Sequence, residues 1–130
     1  GLGSGIEAGV AAMPHGGVTL NSAYLRPRSR GTVRLSSAEP NAAPLIDPNY
    51  WADPYDREMS IRGLKLARDM MRQNALKPYV LAERLPGPDV VSDQDYFNYA
   101  CKNAKTDHHP AGTCRMDEKG ASSGALSKVL

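Results

Sequence analysis

A chain of 130 residues with 10 prolines, 12 glycines and only 6% aromatic residues can build one domain with many turns and a thin core. Sixteen basic against fourteen acidic side chains leave a net charge of +2, too weak a field to recruit nucleic acid or a membrane surface. Two cysteines are too few for a disulfide scaffold, and no apolar run approaches the roughly 20 residues of a membrane helix.

In chain order, residues 1–17 read as a flexible leader and 18–130 as the domain. Gly1-Leu2-Gly3-Ser4-Gly5 resembles a dinucleotide-binding turn only in composition, because no strand precedes it and no strand-helix-strand unit with a terminal acidic residue follows. Residues 18–25 alternate loosely and Thr32-Val33-Arg34-Leu35 alternates cleanly, so an antiparallel hairpin is expected across a turn at 27–31. Arg26, Arg28, Arg30 and Arg34 make that hairpin basic. Without an interleaved aromatic platform it reads as a solvated turn rather than a grip on phosphate or nucleic acid. A polar loop covers 36–44, and Leu45-Ile46-Asp47 reads as an extended edge piece that Pro48 ends.

A long helix is expected over 53–74. Asp53 is a fitting N-cap, Pro54 suits the first helical position, and Asp56 and Glu58 lie near the positive end of the dipole. On a 3.6-residue wheel Tyr55, Met59, Gly63, Leu64, Leu66, Ala67, Met70 and Met71 share one half, with Leu66 central, while Arg68 falls on the charged half. The methionines read as core filler. Pro78 stops the helix pattern, and residues 79–83 read as a further strand. A second helix should begin at Ser92, with Asp95 completing a capping box and Val91 and Tyr96 forming a hydrophobic staple, and run to about Asn103. Tyr96, Phe97 and Tyr99 give this helix aromatic bulk for packing.

The stretch that follows carries the chemistry: Thr106-Asp107-His108-His109-Pro110-Ala111-Gly112-Thr113-Cys114-Arg115-Met116. Proline restricts the residue before it to extended backbone, so His109 cannot sit inside a helix and its ring is aimed by a stiff chain. Gly112 lets the backbone take positive φ or approach a flat ligand closely. An imidazole so held is laid out as a general base, although the same layout serves an exposed turn residue. His108, His109 and Cys114 carry zinc-ligand atoms, but adjacent histidines splay apart and no ligand pair at structural-site spacing completes a set, so no metal is expected. Cys114 lacks an evident third group to orient it as a nucleophile.

This string resembles the C-terminal signature of the glucose-methanol-choline (GMC) oxidoreductases, flavoenzymes that oxidise alcohols, choline and alcohol dehydrogenases among them. Leu25-Arg26-Pro27-Arg28-Ser29-Arg30-Gly31-Thr32-Val33-Arg34-Leu35 is similar to that family's hairpin, and Pro44-Leu45-Ile46-Asp47-Pro48-Asn49-Tyr50 to the segment after it, so three motifs occur in family order. Asp117 stands where the family usually has glycine, and His108 where it often has an aromatic residue. The resemblance implies FAD in the intact parent, bound by a nucleotide-binding half of the same polypeptide, with none held on this fragment. It also implies that His109 takes the hydroxyl proton of a small alcohol while hydride passes to flavin. A second active-site His or Asn would follow Leu130.

The expected fold is therefore α+β, a small antiparallel sheet with a long amphipathic helix packed across it, part of the substrate-side half of a GMC flavoprotein. The partners expected for the parent are a small-molecule alcohol and its own FAD-binding half, not nucleic acid or membrane, with the cytoplasm as default compartment. The alternative is a non-catalytic module that binds a protein partner through an uncovered apolar face.

Overall fold

The computed structural model describes residues 16–112 and the backbone of 125–127; the glycine cluster at Gly1 to Gly5, most of the leader and Cys114 lie outside the described residues. The elements in order are β1 (Arg30–Arg34), β2 (Leu45–Asp47), α1 (Pro54–Met71), a single 3-10 turn at Lys77–Tyr79, α2 (Asp93–Asn103) and β3 (Ala125–Ser127). β1 is the centre of a three-stranded sheet, antiparallel to β2 on one side and β3 on the other. The register pairs Val33 with Ile46 and Gly31 with Leu126. The α+β class is the expected one.

The expected hairpin between residues 18–25 and β1 does not form. The backbone N–H groups of Arg28 and Ser29 donate instead to the two carboxylate oxygens of Asp56, at 2.8 and 2.7 Å, which ties the chain ahead of β1 to the first turn of α1. The upstream segment then runs beside the helix. Tyr24 packs edge-on against Tyr55 at 6.2 Å between ring centroids, and Ser22 lies so near Gly63 that a Cβ there would stand 3.0 Å from it. β1 takes its partners from farther along the chain. Gly31 is what lets β2 close over it: a Cβ at Gly31 would stand 2.2 Å from the Asp47 carbonyl oxygen and 2.6 Å from that of Pro48.

Asp56 is fully buried. Burial alone would raise its pKa, but the N–H of Arg28, the hydroxyl and N–H of Ser29 and the charge of Arg30 outweigh it, and the carboxyl is held below the ordinary aspartate value. Because the folded chain binds this proton less readily than the unfolded one, the stabilisation is complete above the unfolded value, about pH 4, and is lost as pH falls through the folded value. Asp56→Asn is accordingly expected to be less stable than the parent chain at pH 7 and to show a shallower loss on acidification. Urea midpoints at neutral pH and below pH 4 check this; parallel acid limbs in the two proteins would remove Asp56 as the titrating group.

α1 begins as its residues dictate: the Asp53 carboxylate accepts from the Tyr55 N–H at 2.8 Å, and Pro54 opens the helix. It ends at Met71, short of the expected Asn74, with the Arg72 N–H closing on the carbonyls of Arg68 and Asp69. Its main partner is α2 rather than the sheet, and at its Asp56 end it meets the chain just ahead of β1. The inward face also differs from the apolar half of the wheel. Leu66 is 62% exposed and Met70 48%, whereas Asp56 and Arg68 are buried. Specific partners explain the difference: Asp56 is enclosed by the N–H groups of Arg28 and Ser29 and Arg68 by Glu83, Gly87, Val90 and Tyr96, while Gly63 admits the chain at Ser22.

The expected strand at 79–83 is absent. Pro78 sits within the 3-10 turn, and residues 80–84 run without a ladder partner, leaving Leu81 wholly exposed while Glu83 turns back to α1. Among the described residues no helix is long and apolar enough to cross a membrane.

Candidate active site

α2 leads directly into the histidine loop, and its start is fixed by local chemistry. The Ser92 hydroxyl accepts from the Asp95 N–H at 3.2 Å while the Asp95 carboxylate accepts from the Ser92 N–H at 2.8 Å, which is the capping box expected. Of the two residues expected to form a staple, Val91 is 72% exposed, whereas Tyr96 is buried. Phe97 packs edge-on against Trp51 at 5.6 Å, and the Trp51 indole N–H donates to the Ser60 hydroxyl at 2.9 Å, so this aromatic residue of α2 also reaches α1.

The helix ends when Ala104 takes an extended conformation, its N–H still donating to the Ala100 carbonyl at 2.8 Å. Two residues later the Thr106 hydroxyl accepts from the His108 N–H at 3.1 Å, closing a short side-chain turn. His108 has φ of 63°, a left-handed conformation that redirects the chain between the two histidines. His109 and Pro110 follow on the surface, and Gly112 has φ of 99°, the positive value its lack of a Cβ permits. His109 is thus exposed on a loop turned by His108 on one side and Gly112 on the other.

Between α1, the 83–90 segment and the first turns of α2 lies a buried polar junction that a helical wheel does not reveal. Arg68, 9% exposed, donates from Nε to Glu83 Oε1 at 3.0 Å and from Nη2 to the same oxygen at 2.5 Å. Its Nη2 also reaches the Gly87 carbonyl at 2.9 Å, and Nη1 reaches the Val90 carbonyl at 2.6 Å and the Tyr96 hydroxyl. The guanidinium lies 4.9 Å from the Tyr96 ring centre. One side chain of α1 therefore holds the 83–90 segment and α2 together. No pattern along α1 marks it, since the partners of Arg68 lie 15 to 28 residues farther along the chain.

The remaining sequence candidates are spread apart. Arg28 stacks on the Tyr55 ring at 3.7 Å, and Arg30 Nη1 donates to the carbonyls of Pro27, Arg28 and Ser29, so two of the four arginines around β1 serve the local fold. Among the described residues no three His, Cys, Asp or Glu side chains are grouped to hold a metal ion, and Cys101 is an exposed free thiol. A dinucleotide's pyrophosphate needs open N–H groups at a helix N-terminus. The start of α1 carries the Asp53 carboxylate, which accepts from the Tyr55 N–H, and that of α2 carries Asp95 beside the Ser92 cap, so negative charge stands where a pyrophosphate would lie. Neither described helix start fits FAD.

Residues 27–128 match the family model described as GMC oxidoreductase. The chain belongs to the GMC oxidoreductase family. The matched span takes in both histidines, the Arg68 junction and β1 to β3. Among its relatives, this GMC chain is 42% identical over 106 residues to an alcohol dehydrogenase (acceptor) of Pseudomonas putida, covering 82% of this chain and 19% of that protein. It is 39% identical over 110 residues to an oxygen-dependent choline dehydrogenase of Chromohalobacter salexigens, covering 85% and 20%. With a choline oxidase of Arthrobacter globiformis it shares 35% over 102 residues, covering 77% and 19%. The GMC chain spans about a fifth of the length of these curated relatives.

Proposed function

We propose that this chain is the substrate-side part of a longer flavoenzyme that oxidises the CH–OH group of an alcohol, with His109 as general base. The observation that carries the reading is the standing of His109: an exposed imidazole before Pro110, on a loop with two left-handed turns, within the span matched to an oxidoreductase family. FAD, held by the rest of the polypeptide, supplies the hydride acceptor. The part of His109 is a single proton. A ring nitrogen takes the hydroxyl proton of the bound alcohol, because an alkoxide expels hydride far more readily than a neutral alcohol does. Imidazole suits the task since it can take and return a proton near neutral pH. The names of the relatives make choline and other alcohols the substrates to try first.

The reading is tested by mixing the full-length protein anaerobically with choline or a primary alcohol and following the visible flavin absorbance. Bleaching is expected, slower when the α-carbon carries deuterium. The 130-residue chain alone is expected to bind no FAD, since its described helix starts place carboxylates where a pyrophosphate would lie. Full-length protein whose flavin no alcohol reduces would sink the reading; flavin retained by residues 1–130 would relocate the cofactor site to this chain.

A further inference from the structure

Tyr96 and Ala100 are the buried apolar residues of the described structure, and they stand one turn apart on the face that α2 turns inward. From Ala100 the path to the histidines leaves little slack: the Ala104 N–H closes on the Ala100 carbonyl, the Thr106 hydroxyl holds the His108 N–H, and Pro110 restricts His109. Whatever sets the seat of Tyr96 therefore sets the origin of the loop. That seat is the Arg68 guanidinium, which lies over the phenol ring and donates to its oxygen. Arg68 cannot follow Tyr96 about, because its other N–H groups are engaged by Glu83 and by the carbonyls of Gly87 and Val90. Among the described residues the other charged ties between the helices are looser: Lys65 stands 5.6 Å from the Tyr96 ring centre and Arg57 5.5 Å from that of Phe97, and the Lys65–Asp93 pair, with side chains 42% and 71% exposed, holds position weakly.

We propose that Arg68 and Tyr96 are a positioning pair that sets the seat of α2 and thereby the placement of the His109 imidazole; the inference rests on the reading of His109 as the base. The phenol oxygen is the part that matters. Phenylalanine would fill the same space but leave one buried Arg68 N–H without its acceptor, and the penalty is relieved when α2 shifts to let water in. A base displaced by a fraction of an ångström loses rate while the alcohol still binds.

The test uses the full-length enzyme and four variants: Tyr96→Phe, Arg68→Lys, His109→Ala, and Tyr96→Phe combined with His109→Ala. Tyr96→Phe is expected to lower kcat about tenfold, with the alcohol KM and the flavin content unchanged. Arg68→Lys keeps a positive charge beside Glu83 but loses the fork of N–H directions, and should act in the same sense even where Tyr96→Phe proves poorly folded. In the His109→Ala background Tyr96→Phe should change kcat by less than about twofold, since an absent base cannot be misplaced. An equal loss in both backgrounds, or an unaltered kcat in Tyr96→Phe, overturns the positioning role and leaves the base reading intact. A His109→Ala enzyme as fast as the parent overturns both.

Discussion

Alanine at position 109 in the full-length enzyme is expected to slow alcohol oxidation by about 10²- to 10⁴-fold, the worth of a positioned general base. The loss should appear equally in kcat and kcat/KM, because the proton moves as the transition state forms and contributes little to holding the alcohol beforehand. Position 108 supplies the control, and its backbone dictates which one. With φ of 63°, His108 is poorly replaced by alanine, which would add backbone strain to the loss of the ring; asparagine tolerates the left-handed region and isolates the imidazole. His108→Asn should therefore leave turnover much closer to the parent. Steady-state rates in the opposite order would place the base one residue earlier.

Arg68→Ala is expected to destabilise the protein by about 3–5 kcal/mol, the usual cost of removing one partner from a buried charged junction. The variant leaves the Glu83 carboxylate, the Tyr96 hydroxyl and the Gly87 and Val90 carbonyls without the donor that serves them all. Arg72, whose side chain is 63% exposed and whose Nη2 stands 3.7 Å from the second Glu83 oxygen, offers partial compensation. Removing Arg72 instead should cost no more than about 1 kcal/mol, as for other solvent-screened pairs. Urea melts decide between them, and coincident midpoints for the two variants would show that the junction does not hold the helices together.

Features that depend on neighbouring residues were legible in the sequence. Asp53 with Pro54, Ser92 with Asp95, and Gly112 after His109-Pro110 each act within a few residues, and each adopts the expected conformation. Pairing across long separations was not legible. The alternation at Thr32–Leu35 marks a strand correctly, but nothing in it distinguishes residues 18–25 from Leu45–Asp47 as partner; the choice is made by Asp56, which captures the N–H groups of Arg28 and Ser29. The face of α1 was misread for a related reason. A wheel assigns every charge to solvent, whereas Asp56 and Arg68 are enclosed because specific partners 15 to 28 residues away satisfy them. At the candidate site, the restriction that Pro110 places on His109 was readable, while the left-handed turn at His108 was not, because histidine tolerates that conformation better than most residues without requiring it.

The short length of α2 gives the Arg68 junction a role in time as well as in space. Eleven residues fall below the roughly 12–15 that an isolated helix needs to persist in water, so α2 depends on α1 for its existence and not merely for its location. The contacts that would recruit it span 28 residues, from Arg68 to Tyr96 and from Lys65 to Asp93. The histidine loop should accordingly gain its shape late, as the two helices dock, and amide protons of α2 should exchange through the same opening event as those at the C-terminal half of α1 rather than by fraying on their own.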